Sequence, residues 1–202
     1  MAPTRKKSTT TSAKELVIRS LTPSRWEDLV KLFGERGACG GCWCMYWRQT
    51  SAEFSKNKGA PNQRAFRRVV ESRKATGVLG YLDGEPVAWC AIAPRAHYPR
   101  LGRSRILAPV DDTPVWSVSC FFVTRPHRRQ GHSVRLLEGA VEYARKKGAR
   151  VVEGYANDPS AGPMPDAFAW CGIARTFEQA GFREVARRSA TRPILRRTLR
   201  DA

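Results

Sequence analysis

The stretch Val115-Trp-Ser-Val-Ser-Cys-Phe-Phe-Val123, followed by Thr124-Arg-Pro-His-Arg-Arg-Gln-Gly131-His-Ser133, decides the fold. Its first part is strongly apolar and rich in aromatic and β-branched side chains, the mark of a buried strand. From Ser133 to Lys147 the apolar residues Val134, Leu136, Leu137, Ala140, Val141 and Ala144 recur at helical spacing, and Gly148 stops the helix. The connecting loop is basic and contains Gly131, so the backbone can approach a ligand closely while amides point outward at the helix N-terminus. With the helix dipole and flanking arginines, those amides form a site suited to a pyrophosphate. The spacing fits neither the G-x-x-x-x-G-K-[ST] phosphate loop nor the G-x-G-x-x-G dinucleotide fingerprint.

Working outward, Val78 to Leu82 and Pro86 to Ala93 are apolar runs joined by Asp83-Gly84-Glu85, which predicts a β-hairpin. Farther upstream, Leu16 to Arg19 reads as a strand, and Pro23 to Phe33 as a helix with a capping box from Ser24 to Glu27. Pro61 to Thr76 reads as a second helix with Gly77 as its C-cap. The span Pro94 to Pro114 is long, basic and irregular, and a loop of that length is functional or mobile more often than ornamental. Downstream come a strand over Ala149 to Tyr155, a Pro/Gly-rich loop to about Ala169 and a short helix Ile173 to Ala180. A closing strand pair, Phe182 to Arg188 and Ile194 to Leu199, follows. This order gives a mixed α/β sheet combining hairpins with a strand-helix-strand crossover, and no repeat of 20 to 50 residues recurs.

The chain has 202 residues, with 36 Lys+Arg against 18 Asp+Glu and a formal net charge of +18. The charge suits nucleic acid, an anionic membrane surface or a polyphosphate ligand, and does not choose among them. No apolar run reaches the roughly 18 to 20 residues that span a bilayer. Residues 1–14 lack an apolar core for a secretory signal and read as a disordered basic tail, leaving 15–202 as a single domain. The six cysteines read as reduced thiols of a cytoplasmic protein.

The segment Arg128-Arg-Gln-Gly131-His-Ser133 resembles the acetyl-CoA loop of the GNAT N-acetyltransferase superfamily, [QR]-x-x-G-x-[GA], with Ser133 in place of the last small residue. Val123, five residues before Arg128, matches that family's strand-end position. Ala174-Arg-Thr-Phe177-Glu-Gln-Ala-Gly181-Phe182 resembles its short helix running into Gly-Phe. The resemblance implies the GNAT fold, a central, mostly antiparallel sheet splayed at the cofactor strand and flanked by helices. It also implies acetyl-CoA as co-substrate. The backbone of Phe121, Phe122 and Val123 would hold the pantetheine arm. The loop Arg128, Arg129, Gln130, Gly131, His132 and Ser133 would hold the pyrophosphate, with Phe177 beside the cofactor. The implied activity is acetyl transfer to a primary amine, probed against an alternative of a nucleic-acid-directed protein and a third reading as a non-catalytic acyl-CoA sensor. A dimer is compatible with the sequence, which does not select an oligomeric state.

Where many relatives carry a basic Glu and a Tyr proton donor, this chain has Ser117 and Phe177. Glu153 is then the candidate base, with a salt bridge as the competing role. Tyr155, two residues on, is a candidate proton donor or pocket wall. Ser119 shares a face with Ser117 and could hold a water. His97 lies within the long loop. The cluster Cys39-x-x-Cys42-x-Cys44 has no matching second Cys/His pair, so a wall of the acceptor pocket or simple packing is preferred to zinc. Cys42, Trp43, Cys44 and Trp47 are the acceptor-site candidates, and no metal is expected. A Cys-Trp-Cys-Met run here resembles a subset of the family.

Overall fold

The structure is a computed structural model that describes residues 15–161 and 166–199. The expected basic tail, residues 1–14, lies outside them. The chain runs β1 (Val17–Ser20), α1 (Trp26–Phe33), α2 (Ser51–Lys56), α3 (Ala60–Glu71), β2 (Gly77–Leu82), β3 (Glu85–Pro94) and α4 (Pro99–Gly102). It continues with β4 (Trp116–Val123), α5 (His132–Lys146), β5 (Val151–Gly154), α6 (Ala174–Gln179), β6 (Arg183–Arg187) and β7 (Pro193–Thr198). The seven strands form one sheet in the order β1-β2-β3-β4-β5-β7-β6. Every pair is antiparallel except β4 and β5, which run parallel. That parallel pair needs a long crossover, and α5 supplies it.

The β2–β3 hairpin turns at Asp83 and Gly84, with φ of 51° and 82°. Two successive positive values match a type I′ turn, whose twist suits the flanking strands. One apolar layer packs α5 and α6 on the sheet through Leu136, Leu137, Val118, Phe121 and Phe177. The other packs α1, α3 and the Cys/Trp segment on the opposite face through Trp26, Phe33, Trp43, Phe66 and Trp89. A third cluster, with Trp47, Tyr98, Leu101, Leu107 and Tyr155, fills one end of the sheet.

Several local expectations are corrected. Ser24 does not cap α1: Pro23 opens a 3-10 turn over Pro23–Arg25, and Ser24 Oγ lies 2.9 Å from Thr22 Oγ1. The capping box forms instead at α2, where Glu53 accepts from the Thr50 N–H and the Thr50 hydroxyl accepts from the Glu53 N–H. Helix α3 ends at Glu71 with Ser72 as its C-cap, and Gly77 is the first residue of β2. The span after β3 is no loose loop, because Tyr98, Leu101 and Leu107 are buried in it. Among the described residues no helix is long and apolar enough to cross a membrane.

Candidate functional site

Strand β4 pairs with β5 only over Trp116, Ser117 and Val118, opposite Val152, Glu153 and Gly154. On its other edge it stays paired with β3 as far as Val123, with a bulge that inserts Ser119 between the pairs Ile92–Val118 and Ala91–Cys120. The extra residue re-aims the strand: Val118 and Phe121 both face the α5 layer, whereas Cys120 and Phe122 face the α1 layer. Beyond Val118 the two strands part. Three carbonyls on the freed length of β4 take side-chain donors, Ser119 O from Trp47 Nε1 at 3.2 Å, Phe121 O from Cys120 Sγ at 3.7 Å and Val123 O from Arg128 Nε at 3.0 Å.

At the far end of β4 the loop reaches α5 through Gly131, which sits at the N-cap with φ 77° and ψ −5°. A Cβ there would meet nothing within 4 Å, so the backbone lies open to an approaching ligand. No side chain caps α5, and its first turn holds no acidic residue. Its first amides therefore keep their dipole free for an anion. Arg128, Arg129 and Gln130 are exposed. Gln130 donates to Pro126 O at 2.8 Å, and His127 Nδ1 lies 2.7 Å from Thr124 Oγ1. His132 Nε2 is buried without a hydrogen-bond partner, and burial, then His127 and Arg135, lower the His132 pKa. A neutral imidazole with an unused nitrogen thus stands at the helix start beside Ser133.

Where the strands part, the sheet is fastened by a buried ion-pair network. Glu153 is fully buried; its Oε1 accepts from Tyr155 Oη at 2.6 Å and Arg95 Nη1 at 3.1 Å, and its Oε2 accepts from Arg196 Nε at 2.7 Å. Ser117 Oγ lies 2.7 Å from Tyr155 Oη. Both oxygens of the carboxylate expected as base are thus engaged by guanidinium and phenol donors, the salt-bridge role weighed against it in the sequence. Tyr155 is likewise buried, and burial, then the Glu153 charge, push its pKa up. Its proton is committed to Glu153 rather than to a pocket. The Ser119 side chain bonds Tyr98, whose pKa burial pushes up to about 12.

Phe177 is fully buried, edge-on to Phe121 at 5.8 Å and to Phe182 at 5.2 Å between ring centroids. It packs in the core that α6 forms with the sheet. Its ring fits because β5 ends in Gly154: a Cβ there would lie 2.0 Å from Phe177 Cε1. Gly154→Ala is expected to cost about 1–3 kcal/mol through overpacking, read as a lower denaturant midpoint. An unchanged midpoint would mean the Phe121–Phe177–Phe182 stack yields freely.

The Cys/Trp segment divides between core and cleft. Trp43 is buried against Trp26 and Phe33, with centroids at 6.2 and 5.6 Å, and Cys44 Sγ accepts from Trp89 Nε1 at 2.9 Å. These two residues, expected beside the acceptor, lie in the apolar layer under α1. A hydrogen bond with the Cys120 thiol leads in lowering the Cys44 pKa against its burial, whereas burial and the neighbouring Cys44 push Cys42 up to about 12. All six cysteines are free, and among the described residues no three His, Cys, Asp or Glu side chains are arranged to hold a metal ion. Trp47 has a different place. With Tyr46, Thr50, Ser51, Arg100, Arg103 and Ser104 it lines a cleft of about 250 Å³, and its indole donates to Ser119 O on the freed length of β4. A larger cavity of about 490 Å³ lies between α5 and β7, lined by Glu138, Glu142, Arg145 and Arg197 and remote from Gly131 along the helix.

The acetyltransferase (GNAT) family profile matches residues 42–162, more than half of the chain. The chain belongs to the GNAT acetyltransferase family. It is an acyltransferase, with acetyl-CoA as co-substrate. No curated protein matches it in sequence. Its fold is shared with a GNAT-family acetyltransferase of Streptococcus agalactiae 2603, at 12% identity and TM-score 0.56 over 92% of this chain and 96% of that one. The PaiA N-acetyltransferase of Thermoplasma acidophilum, in complex with coenzyme A, is 10% identical with TM-score 0.51, over 92% and 99%. The aminoglycoside acetyltransferase AAC(6')-Ib, also with coenzyme A, is 14% identical with TM-score 0.52, over 91% and 95%. At such identities the likeness is one of fold.

The residues of this GNAT acetyltransferase fit acetyl-CoA at the loop: an uncapped helix start, an open backbone at Gly131 and an unpartnered imidazole nitrogen converge there. Sequence reasoning missed Arg95 and Arg196, which hold Glu153, and Tyr46, Arg100 and Arg103, which line the cleft with Trp47. The available signal was the alternation of arginine with Tyr98 and Leu101 after Pro94, which marks a packed segment.

Proposed function

We propose that this enzyme transfers an acetyl group from acetyl-CoA to a primary amine of a small molecule, by direct attack with both substrates bound. The observation that carries the reading is the uncapped start of α5 at Gly131, at the end of a strand whose freed edge adjoins a small aromatic cleft. Acetyl-CoA supplies the activated acetyl thioester. The amides from Arg129 to Ser133 would bind its pyrophosphate, Arg128 would add charge, and the backbone from Phe121 to Val123 would orient the pantetheine arm. Trp47 and the cleft would position the amine, so that much of the rate comes from proximity.

With Ser117 and Glu153 tied into the buried network, the chain takes the amine as its free base. Below the amine's own pKa the rate rises tenfold per pH unit, and that slope belongs to the acceptor. A small acceptor is favoured over a polynucleotide by where the arginines go. Arg187 pairs with Glu184 and Asp158, Arg188 donates to Ala108 O and Pro109 O, and Arg192, Arg196 and Arg197 also bond within the fold. Arg187 and Arg196 are thus paired with acids of the fold, and the other three have donors committed within it. The test is release of free coenzyme A thiol on a panel of primary amines, with products identified by mass. Amine-dependent release is the expected result; binding of acetyl-CoA with no turnover on any amine would support the sensor reading.

A further inference from the structure

We propose that the amine acceptor carries an anionic group, a carboxylate or a phosphate, recognised by Arg100 and Arg103 in the cleft beside Trp47; this rests on the acetyltransferase reading above. The cleft is built from aromatic faces and guanidinium groups. Tyr46 is held edge-on by Trp47, Phe54 and Trp170 at centroid distances of 4.9, 5.2 and 5.1 Å, so its ring is fixed from three sides. The Arg100 guanidinium lies 3.8 Å over that ring, and its Nη1 donates to Tyr46 O at 3.3 Å. Stacking and one hydrogen bond thus orient the planar fork before any ligand arrives, which suits bidentate binding of an oxyanion.

The charges in the cleft are unbalanced. Among the described residues neither Arg100 nor Arg103 forms an ion pair with a carboxylate. The nearest acid in effect is Glu53, whose charge Arg103 feels, but its Oε2 already accepts from the Thr50 N–H at 2.8 Å and the Thr50 hydroxyl at 2.7 Å. Among the described residues no Asp or Glu lines the cleft. A polyamine or an aminoglycoside, each carrying several positive charges, would meet two guanidinium groups, with Glu53 outside the lining and already engaged by Thr50. Size argues the same way, since about 250 Å³ falls below the ~300–1,000 Å³ typical of drug-sized ligands. Trp47 gives the amine its direction: its indole is one wall of the cleft and bonds Ser119 O where β4 parts from β5.

The experiment compares kcat and KM for four acceptor sets: aromatic amines bearing a carboxylate, the matching amines bearing a phosphate, the uncharged parent amines, and polyamines with aminoglycosides. The anionic amines are expected to show KM at least tenfold below the uncharged parents, and the first two sets tell carboxylate from phosphate. Arg103 is exposed, so Arg103→Glu leaves the packing intact. It is expected to raise KM for the anionic amines at least tenfold with kcat changed less than threefold, and to lower KM for polyamines. Arg100→Lys keeps the charge without the fork and should fall between. A wild type that prefers polyamines or aminoglycosides, or Arg103→Glu with unchanged KM values, overturns the proposal. Calorimetry with acetyl-CoA on the same wild-type preparation separates the two readings. Binding without preference for anionic amines sinks the acceptor class alone, whereas no binding sinks the acetyltransferase reading beneath it.

Discussion

Glu153→Ala is expected to lower stability by about 3–5 kcal/mol, the usual cost of removing one partner from a buried ion pair. Three groups converge on this carboxylate, Arg95 and Tyr155 on Oε1 and Arg196 on Oε2, and all three come from different parts of the chain. Arg196 keeps a second anion in Asp111, whose carboxylate it holds well below the ordinary range. Among the described residues Arg95 keeps no second carboxylate, only the Leu107 carbonyl and Tyr155. The penalty therefore falls mainly on Arg95, left with a charge and no counter-ion. Glu153→Gln retains an acceptor oxygen and should lose less. For a domain of this size each kcal/mol shifts Tm by roughly 2–4 °C, so the alanine variant melts about 6–20 °C lower. Whichever variant folds well enough to assay should show a pH–rate profile with the wild-type slope. A glutamine variant of undiminished stability with a flattened acid limb would instead return Glu153 to the role of base.

What was legible in the sequence was local. The strand, the basic loop with Gly131 and the amphipathic face of α5 are contiguous, so hydrophobic periodicity and loop chemistry suffice to place them. The same holds for the Asp83-Gly84 turn. The role of Glu153 was not legible, because its partners Arg95 and Arg196 lie 58 and 43 residues away, and only the folded sheet brings them to one carboxylate. Ser119 shows another limit: a period-2 pattern assumes an unbroken ladder, and one inserted residue in β4 sends its neighbours to different faces. Ser24 and Thr50 each precede a Glu by three residues, and the two segments look alike as capping boxes. Only Thr50 becomes one, since Pro23 starts a 3-10 turn that carries Ser24 past the cap position. Trp43 and Cys44 adopt positive φ of 45° and 55°, which turns both inward. A reading by composition sees only an aromatic and thiol-rich stretch suited to a pocket.

Gly131→Glu is expected to weaken acetyl-CoA binding at least a hundredfold while leaving the fold standing. The two effects separate because the position is open in space and restricted in conformation. A Cβ meets no neighbouring atom within 4 Å, so the main structural cost is the left-handed φ of 77°, about 1–2 kcal/mol for a non-glycine residue. That is small beside the ~5–15 kcal/mol by which domains are stable, and a carboxylate at the start of α5 offsets part of it through the helix dipole. The same carboxylate occupies the field that would draw the pyrophosphate and repels it. Gly131→Ala carries the conformational cost without the charge, so its affinity should fall only a few-fold. Calorimetric titration of both variants beside the wild type distinguishes charge from shape. If glutamate and alanine weaken binding equally, the left-handed turn governs the site rather than the free amides. If neither does, the pyrophosphate is held away from the start of α5, and the exposed arginines of the loop lose the reason assigned to them.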